Sequence, residues 1–353
     1  MKNPTLALVT GALLFCSTSS AQLQRIVVQG TGEPQVFTDL STAIAAAQPN
    51  DRLYFSGGAF TSPQAVVIGV PLHFIGAGIS PDSSAVTSTT VIGTQAGNIT
   101  ITTGATGSTF TGIRFAPAAY VQYGNNDMDD DPTGLVFERC TFDTRVITHN
   151  STTAGTSSTV FNECIFYSFL YGQPGTLATL NRCVLDYQAG TGAEVSGFHG
   201  GALTMRFCVC LGTRIGNSTN SLIENCVFTR TTAPFWQSNG SILTNNLCVS
   251  TGLVSNMTPG ATVGNVLGVP ATEIFVNEVD GDFQWTDDLH LQATCVGVGM
   301  ATDGTDVGIF GSSSPFKAGA VPYNPHFRSA TIAAATNPNG DLPVNIRVAA
   351  QPN

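Results

Sequence analysis

The chain has 353 residues, of which 42% are hydrophobic and only 10% charged. So much apolar surface excludes a disordered chain, for all its glycine, serine and threonine. Thirteen basic residues stand against 23 acidic ones, and Lys317 is the only lysine beyond Lys2; such a surface repels phosphate backbones and argues against nucleic acid as a partner.

Residues 1–21 read as an export signal. Lys2 supplies the positive end, residues 6–15 an apolar run, and Ser19, Ser20 and Ala21 the small residues of a cleavage site. The run is too short to span a bilayer, and no later segment is long and apolar enough. A secreted or cell-surface protein without a transmembrane segment is expected. Residues 24–29 (Q-R-I-V-V-Q) read as a first strand, and residues 36–47 as a helix with Thr38 or Asp39 as its cap. Leu40, Ala43, Ile44 and Ala47 fall on one face of that helix. From Arg52 onward the text is short β-rich runs with glycine at the corners, among them Gly57-Gly58 and Gly76-Ala77-Gly78.

One phrase then recurs five times: F-E-R-C-T-F (137–142), F-N-E-C-I-F (161–166), L-N-R-C-V-L (180–185), M-R-F-C-V-C (205–210) and I-E-N-C-V-F (223–228). The cysteines Cys140, Cys164, Cys183, Cys208 and Cys226 are 24, 19, 25 and 18 residues apart. Residues 110–115 fit the phrase with Ile113 in the cysteine slot, and residues 242–247 with Asn245 there. A fixed core phrase at an irregular period near twenty predicts a solenoid whose coils differ in their loops. Cysteines at one slot of successive coils stack at about 4.8 Å, whereas the Cβ atoms of a disulfide lie about 3.8 Å apart. A buried column of free thiols is therefore expected, with a pairing involving Cys208 or Cys210 as the alternative.

Function in a solenoid is carried by what the coils present outward and by their loops. The insertion at 124–134 holds Asp127, Asp129, Asp130 and Asp131 with Asn125 and Asn126. Those oxygens could serve calcium, although the spacing is not that of an EF-hand and a solvated acidic loop gives the same text. Residues 188–201 contain Glu194 and His199, a carboxylate and an imidazole that could do acid–base work. Phe235 and Trp236, beside Gln237 and Asn239, suit stacking on a sugar ring; equally, they could fold back over the coil. Five N-x-S/T sequons, at Asn98, Asn150, Asn217, Asn239 and Asn256, matter only in a host that glycosylates.

The order D-L-S-T-A-I-A-A-A, D-R-L-Y-F-S-G-G-A-F, P-L-H-F-I-G-A-G (39–78) resembles the right-handed parallel β-helix proteins of the pectin-lyase-like superfamily. The matches Asp288, His290, Leu291, Gly304, Asp306, Gly308, Phe310 and Gly311 resemble the C-terminal end of secreted bacterial β-helix repeat proteins. The resemblance implies an all-β, right-handed parallel β-helix over residues 22–311, with an N-terminal amphipathic capping helix and an extended tail over 312–353. It does not choose an activity, because lyases, hydrolases and adhesins share the fold. The lyases of that superfamily gather carboxylates around calcium with an arginine or lysine base, and its hydrolases group aspartates on adjacent coils. Here the outward charges Arg114, Glu138, Arg139, Glu163, Arg182, Glu224 and Arg230 mix signs, and pairing between neighbouring coils is their simplest role. Asp303 and Asp306 read as turn-forming. The function expected is a non-catalytic, monomeric protein of the cell exterior that binds carbohydrate, with a polysaccharide lyase or glycoside hydrolase, calcium-dependent or not, as the competing reading.

Overall fold

The computed structural model describes residues 24–81, 88–125, 129–149, 155–186, 194–317, 319–320, 326–333 and 335–349. The residues read as an export signal, and Asp127, lie outside the described residues.

The chain is nearly all β. Each coil lays down three short strands, one on each of three sheets of 12, 10 and 9 strands, and neighbouring coils pair in parallel. This is a parallel β-solenoid. Its first strand, Ile26–Gln29, runs antiparallel to both Gln35–Phe37 and Arg52–Phe55. The helix Leu40–Ala46 follows. Asp39 caps it, its Oδ1 accepting the Thr42 N–H at 2.8 Å, and it buries Leu40 and Ala43 against the strands at this end.

Period-two alternation sorts side chains into columns. Along the first sheet the inner column is Leu53, Phe74, Phe110, Phe137, Phe161, Leu180, Met205, Ile223 and Leu243. The rings of Phe74, Phe110, Phe137 and Phe161 stack with centroids 4.7, 4.6 and 5.3 Å apart. On the second sheet Phe115, Phe142 and Phe166 stack likewise, at 5.1 and 4.9 Å. These offset-stacked rings fill the interior that the repeated phrase announces.

Between the first and second sheets the chain turns a corner, and there the cysteines stand. Cys140, Cys164, Cys183, Cys208 and Cys226 are free and fully buried. Each of the first four thiols donates to a carbonyl of the preceding coil: Cys140 to Phe110, Cys164 to Phe137, Cys183 to Phe161 and Cys208 to Leu180, at 3.4–3.5 Å. One slot differs from the expectation. Leu243 pairs with Ile223, so Asn246, not Asn245, continues the column. Its Nδ2 donates to the Ile223 carbonyl at 3.0 Å, and Asn265 does the same to Leu243 at 2.8 Å. An amide and a thiol are interchangeable in this slot because both offer a donor to one inward carbonyl.

The residue before the column takes a left-handed conformation in coil after coil: Gly112, Arg139, Glu163, Arg182, Phe207, Asn225, Asn245 and Gly264, with φ between 50° and 67° for all eight. Glycine and asparagine enter this region at little cost; the other four do not.

The last strand of the second sheet is Val266–Leu267. Residues 269–320 form no further coil. They run back along the outside of the second sheet as a strap, beginning with the antiparallel pair Phe275–Asn277 and Asp288–Leu291. Thr302 and Gly308 hydrogen-bond to Asn225, Lys317 N–H to Glu163 Oε2 at 3.1 Å, and Ala320 to Ile79. Beneath it lies an outward apolar column, Ile165, Val184, Val209, Val227 and Leu247, which packs with Ile274, Phe283, Leu289, Val307 and Ile309 into a second core. The two half-motifs of the C-terminal text meet here: His290 Nδ1 donates to Asp288 Oδ1 at 2.6 Å, and the imidazole stacks on Phe310 at 3.6 Å. Asp303 and Asp306 accept from Thr305 and Gly299 in turns. Within the tail, Val344–Ala349 pairs with His326–Ile332 as a hairpin, leaving Val344, Ile346 and Val348 exposed.

Candidate functional site

Among the described residues the third sheet, unlike the second, has an outward face that the apolar core of the strap does not roof. Its inner column runs Val121, Val146, Leu170, Val195, Ile215, Phe235, Val254. Phe235 is therefore fully buried, edge-on to Phe228 at 4.9 Å. It cannot stack on a ligand, because strand alternation points it inward and sends its neighbour Trp236 outward. Of the aromatic pair singled out in the sequence, the face keeps only Trp236.

Trp236 has company that the sequence did not disclose. The residues flanking each inner position point outward, and in successive coils they are Tyr120, Arg145, Phe169 with Tyr171, Glu194, Arg214 and Trp236. The Arg145 guanidinium sits between two rings, 5.4 Å from the centre of Tyr120 and 5.0 Å from that of Phe169. Phe169 stacks on Tyr171 at 5.1 Å. Further along, Arg214 lies 4.7 Å from the Trp236 ring and is held by Glu194 at 2.9 Å. Such cation–π contacts fix long side chains in place. Arg214 is neutralised by Glu194, whereas the Arg145 guanidinium has no hydrogen bond or ion pair among the described residues. Burial pushes the Tyr171 phenol up, with Arg145 pulling it the other way. Small residues, Ser196 and Gly216, floor the stretch between Tyr171 and Trp236. The row crosses six coils, about 24 Å at roughly 4.8 Å per coil. What hid it from the sequence is spacing: loops of unequal length separate its members, so no fixed interval marks them.

Among the described residues the carboxylates of the acidic insertion take different partners. Asp129 Oδ1 accepts the Asn125 N–H at 2.8 Å. Asp130 turns into the interior and faces His149 Nδ1 at 3.1 Å, both side chains being buried. Asp131 lies 3.6 Å from the same nitrogen and accepts the Thr156 N–H at 2.7 Å. Asp130, Asp131 and His149 bring donor atoms within 4.8 Å of one another. The histidine was not foreseen, since it comes from the next coil and only register brings it there. An imidazole between two carboxylates is a mixed nitrogen–oxygen donor set, not the all-oxygen set that calcium prefers.

Other sequence candidates separate. Glu194 belongs to the outward row, while His199 Nδ1 faces Thr219 at 3.5 Å. The charges expected on the outside pair between coils: Arg114 with Asp143 and Arg206 with Glu224 at 2.6 Å, Arg139 with Glu163 at 2.9 Å; Arg139 and Glu163 are buried rather than outward. No protein-family model and no curated protein matches the chain.

Proposed function

We propose that this is a protein of the cell exterior that binds an extracellular glycan along the outward face of the third sheet, without cleaving it. The observation that supports this reading is the row Tyr120, Arg145, Phe169, Tyr171, Arg214 and Trp236. Aromatic faces stack on the apolar faces of sugar rings, and side chains locked by one another lose little entropy on binding. A guanidinium clamped between rings offers its N–H fork to ring oxygens and hydroxyls. Coils repeat at about 4.8 Å, so an extended sugar chain along the solenoid axis meets similar chemistry at successive residues. The apolar start of the sequence, with its small residues at 19–21, supports export. In the same proposal the solenoid is right-handed, of the pectin-lyase-like type, and closed at its first coil by the helix Leu40–Ala46; the amphipathic face of that helix and the order of motifs over 39–78 support this.

The test is a panel of neutral and uronic polysaccharides, read both for retention of the protein and for new reducing ends, with calcium and with chelator. Retention without new ends supports the reading. Reducing ends from one polymer would replace it with the lyase or hydrolase reading, and loss of activity in chelator would then direct attention to Asp129, Asp130 and Asp131.

A further inference from the structure

The acidic insertion carries more than the solvated loop that its text allows. It leaves the third sheet after Val121–Tyr123, and the next coil returns to that sheet as Val146–Ile147. Pairing sets Val121 beside Val146 and Gln122 beside Ile147; carried two residues further, this register sets Gly124 beside His149. Three side chains converge there. His149 Nδ1 lies 3.1 Å from Asp130 Oδ2 and 3.6 Å from Asp131 Oδ1. All three donor atoms lie within 4.8 Å of one another. The side chains of Asp130 and His149 are each 1% exposed, and that of Asp131 34%. Asp131 is held from both sides: its N–H donates to Thr103 Oγ1 of the preceding coil at 3.0 Å, and its Oδ1 accepts the Thr156 N–H at 2.7 Å. Glycine leaves the room for this cluster. A Cβ at Gly155 would collide with His149 Nδ1 and Asp131 Oδ1, and one at Gly124 with Asp130 Cβ.

A buried Asp–His hydrogen bond accounts for only part of this geometry. One N–H serves one oxygen, and here the same nitrogen faces the oxygens of two carboxylates. A tetrahedral ion roughly 2 Å from each donor sets its donors about 3.3 Å apart, which falls between the two separations observed. A carboxylate as deeply buried as Asp130 is costly to keep charged unless it is paired or ligates a cation. His149, even protonated, brings one positive charge for two carboxylates.

We propose that Asp130, Asp131 and His149 bind one divalent transition ion, zinc by its donor set, which ties the insertion to the following coil. An imidazole nitrogen with carboxylate oxygens suits zinc, whereas calcium takes oxygen ligands and six to eight of them. Water completes the four-coordinate shell on the side where Asp131 meets solvent. The role is structural. The chain's hydrogen bonds already join the insertion to the coil before it, through Thr103; the ion joins it to the coil after, and its binding free energy adds to that of folding. The site is separate from the aromatic row of the third sheet and stands whether or not that row binds a glycan.

The test uses the full chain, stripped with chelator and dialysed, then supplied in turn with zinc chloride, cobalt(II) chloride or calcium chloride. Zinc should be retained through a second dialysis at one ion per chain and raise the melting temperature by several degrees. Cobalt should give the visible absorption bands of a four-coordinate site, and zinc should bleach them. Asp131→Asn, at the partly exposed position, should melt close to stripped wild type in chelator yet hold zinc about tenfold more weakly or worse. His149→Gln should lose the cobalt bands. Asp129→Asn, whose carboxylate accepts the Asn125 N–H instead, should bind zinc as wild type does. No retained zinc, retention unchanged in both Asp131→Asn and His149→Gln, or a calcium shift as large as the zinc shift would overturn the site.

Discussion

Arg139, Glu163, Arg182 and Phe207 hold left-handed backbone where glycine or asparagine would be easier. What fixes three of them there is charge. Arg139 and Glu163 are buried at 2.9 Å, Arg182 reaches the other Glu163 oxygen at 3.7 Å, and the strap adds the Lys317 N–H. Removing one member of a buried pair leaves the other charged in the interior. Glu163→Ala should therefore lose about 3 kcal/mol in urea unfolding, and an unchanged midpoint would contradict the network. The sequence disclosed the pairing of these residues, because alternating signs at one slot of successive coils have few other uses. It did not disclose their burial, which depends on a segment more than a hundred residues away. At the same scale the cysteine column was legible, apart from the slip at Asn245, where two adjacent asparagines gave the phrase two registers. Cys183→Asp should abolish folding, since no cation is near to pair the charge. The eight described thiols, all buried, should react with a thiol reagent only after denaturation; rapid labelling of several in the native state would exclude the column.

The coils were readable one element at a time, because each needs only a short alternating strand and a corner. The strap was not. Its text of Gly, Asp and Thr reads as the closing of the last coils, yet it packs sideways on the second sheet. The clue lay in the phrase itself: Cys164, Cys183, Cys208 and Cys226 are followed by Ile165, Val184, Val209 and Val227, apolar on a face that alternation would leave to water. A chain ending at residue 268 would expose that column together with Leu247. Patches of this kind drive association, so the truncated protein should bind a hydrophobic dye and aggregate at concentrations where the full chain is soluble. A soluble truncation with an unchanged melting temperature would show that the strap contributes nothing to the fold.

At the scale of the whole molecule, a solenoid's stability is a sum over neighbouring coils, and its surface is a set of long faces. One of these, the outward face of the second sheet, is roofed by the strap, and the corner beside it is filled by the buried Arg139–Glu163 pair and Phe207. The third sheet is left with aromatic rings and clamped guanidiniums in register. The proposed site was the least legible level, since the row is assembled by pairing register across loops of unequal length and only Glu194 and Trp236 stood out in the sequence. The most direct measurement is affinity electrophoresis of wild type, Trp236→Ala and Phe169→Ala in gels containing the polysaccharide that best retains the protein. Glycan binding by the third sheet predicts a loss of about tenfold in affinity for each variant, on the order of 1.4 kcal/mol, with melting temperatures close to wild type because both rings lie on the outside. Equal retardation of all three proteins would mean that the ligand binds elsewhere, and the third-sheet face would be refuted as the site.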